Sequence, residues 1–528
     1  MDMEKYKNEK GGISIYVLAS MFILTIILMG IYISITNKHI TQLEIAGQIK
    51  STYEQDVNNV DAIYNELMGT ENADTPSPTP GEKSDITVKW VDGMVPVTYN
   101  SADTSWYVAT KEQIDNNTWF NYVDTSEAGK EKTSQWANVM LRDNLKVEGV
   151  TNANTAALSD MYGKKVTSEG SMYVWIPRYA YKIESGYHTD QVGEISVKFL
   201  NTNNTYKDGS STSTLITNPA NTTVISATHY MIHPAFTWAK EDGTEVALEG
   251  IWIGKFEASS ANASFGATQA GNVLTSSTVV LRTVGNVSSW RSINKNNIFL
   301  NCYNMNNAAN ASLYGISTNK DEIDPHLIKN TEWGAAAYLA HSKYGRNKIT
   351  DETMSNLTGY NTGNGNYKTN VALSTTGNEY GIYDMAGGAW EHVAAYVDST
   401  RGGTVSNNYL TSESYGKAVY DAAPKYKDVY VIGKTDTYLR NYIANINRYG
   451  DAVYETSGLV GYWNGSANVG DYASSWNGDY SDFPYSGLPF FSRGGYYGNG
   501  AQAGVFAFVN STGESYSYYG FRAVLATL

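Results

Sequence analysis

The sequence predicts an α+β domain, rich in loops and built mainly on short strands, standing behind an N-terminal hydrophobic helix. Three observations carry that expectation. SMYVWIPRYAYKI (171–183) and GIWIGKFEAS (250–259) read as alternating strands. KNTEWGAAAYLAHSKYG (329–345) reads as a helix, with an acid, Glu332, in its first turn and Gly345 as its stop. Residues 13–35 form an uncharged run, and about 20 apolar residues are enough to span a bilayer core.

Composition bounds the possibilities. The 528 residues allow about two to four domains. Only 17% are charged and the net charge is −14, so no basic stripe is present to neutralise phosphates and no nucleic-acid partner is expected. The chain has 42 Tyr and 12 Trp, with abundant Gly, Asn, Ser and Thr. Tyrosine supplies rigid contact area with a polar tip, and the small polar residues supply adaptable hydrogen bonds, which is the palette of a binding surface. The single cysteine, Cys302, excludes an intrachain disulfide and a Cys-rich metal site. A large domain outside the cell must then rest on its core, on buried aromatics or on a hard cation.

The N-terminus reads as an anchor. Lys5, Lys7 and Lys10 precede the hydrophobic run, and Lys38 is the only Lys or Arg close behind it. That asymmetry predicts a single-pass membrane protein, N-terminus inside and C-terminal domain extracellular, with residues 1–36 as tip and transmembrane helix. A cleaved signal peptide is the competing reading; the run is long for one and lacks a small-x-small cleavage site. Ile40, Leu43, Gly47, Ile49, Tyr53, Val57, Val60, Tyr64 and Leu67 recur at three- and four-residue spacing, which predicts an amphipathic stalk helix over 37–69. This arm resembles that of type IV pilin-like proteins. It departs from their processing site, because Gly12 is followed by Ile13 and the fifth position holds Val17 rather than Glu. Residues 70–84 (TENADTPSPTPGEKS) form a Pro/Thr/Ser linker. Residues 85–170 read as a small β-rich module packed on the next domain. WVDGMVPVTYN (90–100) alternates there, and Trp106, Trp119 and Trp136 are expected to be buried.

From 171 to 528 the motifs fall in a telling order: the two strands and the helix above, then GNEYGIYDMAGGAWEHV (377–393), SRGGYYGNGAQAGVF (492–506) and YYGFRAVLA (518–526). This order resembles the formylglycine-generating-enzyme, or sulfatase-modifying-factor, family, a variant of the C-type-lectin fold. The resemblance implies a loop-rich C-type-lectin-like domain. Enzymes of that family hold copper with two thiolates shortly after the R-G-G segment, and the matching positions here are Asn499 and Gly504. The related sulfoxide synthases use an H-x-x-x-H-x-E iron site; here His229 and His233 are followed by Ala235. No copper or iron, and no catalysis, is therefore expected. The resemblance also implies a calcium ion held by Asp384, the carbonyls of Gly387 and Ala389, and Glu391, a sensible set since calcium takes six or more oxygen ligands.

The C-terminal stretch is dominated by Tyr, Asn, Ser and Gly. Val505, Ala507 and Val509 read as inward strand positions, with Phe521 and Val524 on a closing core strand. Arg493, Tyr496, Tyr497, Asn499, Gln502, Ser515, Tyr516, Tyr518 and Tyr519 are the candidate ligand-binding surface. The segment resembles the variable region of lectin-fold proteins diversified by retroelements. That likeness implies an imperfect DNA repeat beside a reverse-transcriptase gene, with differences confined to adenines. The calcium-bridging sugar signatures of lectins are absent. The expected function is a membrane-anchored, surface-displayed binding protein for an extracellular protein or cell-surface ligand. The alternatives are a metal-dependent oxidase and a minor-pilin-like subunit.

Overall fold

The computed structural model describes residues 85–126, 133–217, 224–260, 271–276, 279–346, 367–369, 371, 374–399, 408–463 and 468–528. The expected anchor, stalk and linker lie outside the described residues. Among the described residues no helix is long and apolar enough to cross a membrane. The architecture is mixed α+β and rich in sheet.

A seven-stranded antiparallel sheet runs in the order Ile323–Leu327, Ala523–Thr527, Gly250–Gly254, Met172–Pro177, Asn138–Met140, Val95–Asn100, Ser105–Val108. Three of these strands come from residues 95–140, so position 170 does not divide two separate bodies. The stretch is one side of the main sheet rather than a module laid against it. The reason is local: Val95, Val97, Val139 and Met140 are fully buried, and Asn138 pairs with Val174 of the neighbouring strand. Trp106, Trp119 and Trp136 are buried, as expected.

The segment 171–183 forms two strands, not one. Met172–Pro177 belongs to the seven-stranded sheet, and Tyr179–Ile183 lies between Ile195–Phe199 and Met231–Ile232 in a three-stranded sheet. Arg178 makes the corner, its guanidinium donating to the Phe236 carbonyl at 2.8 Å and to Asn204 Oδ1 at 2.6 Å. Every residue of Met172–Pro177 is buried, so both faces of that strand are covered.

A second sheet of eight strands is built on Trp390–Asp398. Asp428–Val431 and Tyr519–Phe521 run parallel to it, and Phe490–Arg493 runs antiparallel. Phe508–Ser511, Tyr480–Ser481 and the hairpin Ser457–Trp463/Asn468–Ser475 continue the sheet. The chain therefore leaves this sheet at Phe521, passes Arg522, and enters the seven-stranded sheet at Ala523. The inward alternation expected over 505–509 is displaced: 505–507 is turn and approach, and the strand begins at Phe508 with Val509 half-buried. Val505 and Ala507 are fully buried as expected, but so are Phe506 and Phe508, so burial here does not alternate.

The helix Asn330–Ala340 is buried along its whole length and packs against Met172–Pro177, Ile195–Phe199 and Trp390–Asp398. Glu332 starts it by accepting from the Lys329 backbone N–H at 2.9 Å and bonding His326 Nε2 at 2.9 Å. It ends at Ala340, ahead of Gly345, with His341 as cap. Gly334 is required inside the helix because a side chain there would overlap the Gly450 carbonyl. Nine described tryptophans are less than 2% exposed. In a chain without disulfides these rings, each burying roughly 150–250 Å², supply the core.

Candidate functional site

The turn that follows Ile382 and Tyr383 is set by backbone shape. Asp384 has φ of +64°, Gly387 +84° and Gly388 +76°. The left-handed region is open to glycine and tolerated by aspartate, which fits the D-M-A-G-G run. The turn delivers Trp390, 4% exposed, to a small core with Ala507 and Tyr519. It also delivers Glu391, fully buried, to Arg522. Arg522 Nε donates to Glu391 Oε2 at 3.0 Å and Nη2 donates to Oε1 at 2.5 Å. The same guanidinium donates to the Gly254 carbonyl at 2.7 Å and to the Tyr383 carbonyl at 2.9 Å. One side chain thus joins both sheets and the turn.

Two further carboxylates crowd this pair. Glu257 accepts from the Ala389 backbone N–H at 2.8 Å. Burial, then the Glu391 and Asp384 carboxylates, push Glu257 up to about 8. Burial also pushes Asp384 up to about 7, with Arg522 opposing and Glu391 adding to the rise. Three buried carboxylates are clustered here, Glu391 bonded to the Arg522 guanidinium, Asp384 within its electrostatic reach and Glu257 beside the other two acids. The donors are all oxygens and the charge is in surplus, so Asp384, Glu391 and the Gly387 and Ala389 carbonyls fit a hard cation in charge and in donor type. Side chains alone do not make the cage: among the described residues no group of three or more His, Cys, Asp or Glu is placed to hold a metal ion. A calcium ion here would draw on the backbone carbonyls. Glu391 would serve it while bound to Arg522, with Glu257 as the extra acid beside Ala389.

The predicted ligand surface is built directly on this turn. Tyr497 N donates to the Gly388 carbonyl at 3.0 Å, and Trp390 N donates to the Tyr518 carbonyl at 2.9 Å. Tyr496 lies 5.3 Å from Tyr497 and 5.5 Å from Tyr518, centre to centre. Tyr518 stacks on Tyr516 at 5.4 Å with rings 6° from parallel. Tyr519 is buried beneath them against His392, at 4.4 Å. The outermost rings are open to solvent, Tyr497 at 60% and Tyr516 at 43%. Tyr516 is held from below by its hydroxyl, which donates to Glu514 Oε2 at 2.9 Å. Gln502 and Ser515 are exposed, and Asn499 is half-buried with its Oδ1 accepting from Tyr496 N at 2.9 Å. Asn499 therefore shapes the turn. Arg493, expected on this surface, is not on it. It is fully buried, donating to the Asp451 and Ala452 carbonyls at 3.0 and 2.9 Å, because its strand is covered on both sides.

Of the two positions that would carry catalytic thiolates, Asn499 is the half-buried turn residue above and Gly504 is closed. A side chain at Gly504 would overlap the Asp479 carboxylate, which accepts from Phe506 N at 2.9 Å. Cys302 is buried on the helix Lys295–Tyr303, and burial drives its thiol well up, away from the reactive thiolate. His233 is fully buried among the rings of Tyr179, Tyr181, Phe236 and Tyr338, whereas His229 is half-buried with its Nδ1 on the Thr228 hydroxyl. His341, also buried, bonds the Gly193 carbonyl at 2.9 Å.

No family model matches this chain. No curated protein matches it either. Among solved structures it is similar to one described as Treponema denticola variable protein 1, at 16% identity and a TM-score of 0.24, over 55% of this chain and 91% of that one. At that score the likeness decides neither fold nor function.

Sequence reasoning missed Glu257 and Asp479. Glu257 stands in GKFEAS, where strand alternation assigns an acid to a solvent face. Its signal was an acid shortly after a fully apolar strand, but nothing in the sequence placed it beside Ala389. Asp479 had no signal at all; its role follows only from the space that Gly504 leaves.

Proposed function

We propose that this chain is a membrane-anchored, surface-displayed binding protein. In this reading its C-terminal domain is a non-catalytic, C-type-lectin-like module of the formylglycine-generating-enzyme kind. The ligand is an extracellular protein or another cell-surface molecule, met by the tyrosine face. The observation that carries this is the connected set of rings from Tyr497 through Tyr496 and Tyr518 to Tyr516, exposed at its ends and pinned to a buried turn. Tyrosine loses few rotors when it binds and contributes both apolar area and a hydroxyl, so it is favoured where interfaces gain most of their energy. Holding the rings on a rigid turn lowers the ordering cost further.

The layout also suits diversification. Tyr497, Gln502, Ser515 and Tyr516 are outside the core, so changing them alters what is bound and leaves the scaffold intact. Calcium, held by Asp384, Gly387, Ala389 and Glu391, would brace the turn from which Tyr497 and Tyr518 hang.

The test against catalysis is direct. The full-length chain, reconstituted with copper(I) or iron(II), is given a cysteine-containing peptide and oxygen. The expected outcome is substoichiometric metal and no oxidised cysteine. Stoichiometric copper or iron together with peptide oxidation would defeat the binding reading.

A further inference from the structure

Next to the tyrosine face is a separate concavity, a cleft of about 510 Å³. That is within the usual range of roughly 300–1,000 Å³ for small-ligand sites. Its walls are four asparagines (Asn272, Asn294, Asn296 and Asn297) and two glutamates (Glu413 and Glu514), with two serines and two tyrosines, one of them Tyr516. None of these lining residues is a lysine, an arginine or an aliphatic residue.

The wall is cross-tied. Asn294 caps the helix Lys295–Tyr303, its Oδ1 accepting from Asn297 N at 2.9 Å and its Nδ2 donating to the Glu413 carbonyl at 3.1 Å. Asn272 Oδ1 accepts from Asn294 N at 3.1 Å and from Asn297 Nδ2 at 3.0 Å. Asn296 Oδ1 accepts from Ala418 N at 2.9 Å, and its backbone N–H donates to the Tyr415 carbonyl at 2.7 Å. Ser292 N donates to the Tyr516 carbonyl at 3.1 Å. Four chain segments, at 272, 292–297, 413–418 and 516, are thereby fixed around one space. The one cation on this part of the helix, Lys295, is withdrawn into the core, where its Nζ donates to the Val393 and Phe491 carbonyls at 3.0 and 2.8 Å.

The chemistry of the lining selects its ligand. Two glutamates with no lysine or arginine among the lining residues disfavour anions. A wall without aliphatic side chains gives an apolar ligand nothing to bury against. Hydroxyl groups, each both donor and acceptor, match a surface that mixes carboxylates, amides and hydroxyls. A sugar ring adds an apolar C–H face, for which the exposed Tyr516 ring is the platform.

We propose that this cleft binds a neutral, hydroxyl-rich saccharide through Asn272, Glu413, Glu514 and Tyr516, with no metal bridge. The proposal deepens the reading of the tyrosine face, on which it rests through Tyr516, and makes the cleft the subsite for a glycan on the ligand.

The test is calorimetric titration of the full-length chain in EDTA. The probes are neutral hexose and N-acetylhexosamine tetrasaccharides, with a uronic-acid tetrasaccharide and spermine as anionic and cationic comparators. At least one neutral tetrasaccharide should bind, and neither comparator should compete. Asn272→Ala and Glu413→Gln should each weaken binding tenfold or more, and Val431→Ser, an exposed position outside the cleft, should not. The Glu413 side chain is exposed, and the cross-tie from Asn294 reaches this residue at its backbone carbonyl, so Glu413→Gln removes a charge at the cleft without breaking that tie and should keep its melting temperature even where Asn272→Ala does not. Absence of any neutral binder, preference for the uronate or spermine, or unchanged affinity in Glu413→Gln would overturn the proposal. Saccharide binding that persists while cross-linking from the tyrosine face fails would remove the reading of that face and leave the cleft standing.

Discussion

Arg522→Met should cost about 3–5 kcal/mol of folding stability, the usual penalty for removing one partner of a buried ion pair. The guanidinium is fully buried and makes four hydrogen bonds: two to Glu391 and one each to the carbonyls of Gly254 and Tyr383. Methionine fills much of the volume and satisfies none of these acceptors. It also leaves Glu391 uncompensated beside Asp384 and Glu257. Arg522→Lys keeps the charge but offers one nitrogen where the planar fork reaches three separate groups, so it should recover less than half of the loss. Urea denaturation measures all of this. In a double-mutant cycle, Glu391→Gln placed on Arg522→Met should cost less than Glu391→Gln alone, because the orphaned charge is gone. Full additivity would show that the pair does not join the two sheets.

Stability should fall as pH rises, and calcium should reverse the fall. Glu257 and Asp384 have folded values of about 8 and about 7, against unfolded values near 4. Groups raised in this way bind more protons in the folded state than in the unfolded one. The stability they contribute is fully present below about pH 4 and is lost as pH rises through 7 to 8. Glu455 and Asp479, each pushed up to about 7 by burial, act in the same direction. Without calcium the loss between pH 5 and 8 should be on the order of a few kcal/mol, because a tenfold change in proton affinity on folding is worth about 1.4 kcal/mol. Calcium needs the ionised carboxylates, so its stabilisation should grow over the same interval and reach about 2.7 kcal/mol at a hundredfold excess over its Kd. Melting curves at pH 5 and 8, in EDTA and in calcium, decide it. Glu257→Gln should flatten the EDTA profile. A calcium effect that is absent at pH 8 would show that the cluster is a neutral core feature.

Several parts of this architecture were legible in the sequence because one-dimensional order was enough. Gly387 and Gly388 in D-M-A-G-G-A-W fit a tight turn that delivers Trp390 to the core, and the structure has both in the left-handed region with Trp390 buried. The terminal G-F-R-A-V-L-A reads as one closing core strand carrying Phe521 and Val524; both are buried, but the chain changes sheets between them at Arg522. Other features required three dimensions. Alternation shows that a polar residue faces away from its apolar neighbours, but not whether that side is water or a second layer, which is why Glu257 was missed and Arg493 was misplaced. Weak, interrupted patterning over 85–170 suggested a separate module because strand pairing with Met172–Pro177 leaves no mark on composition. The helix end at Ala340 was hidden by residues that favour helix up to a tertiary contact, the bond from His341 to Gly193.

The measurement that bears most directly on the tyrosine face is site-specific photo-cross-linking. A benzophenone amino acid replaces Tyr497 or Tyr516 in the full-length chain displayed on cells, with Val431, 51% exposed, as the comparison site. A binding face predicts a discrete covalent adduct from both tyrosine positions, none from Val431, and loss of the adduct when Tyr518→Ala removes the ring behind Tyr516. No adduct from either position, or equal yields from all three, would contradict it.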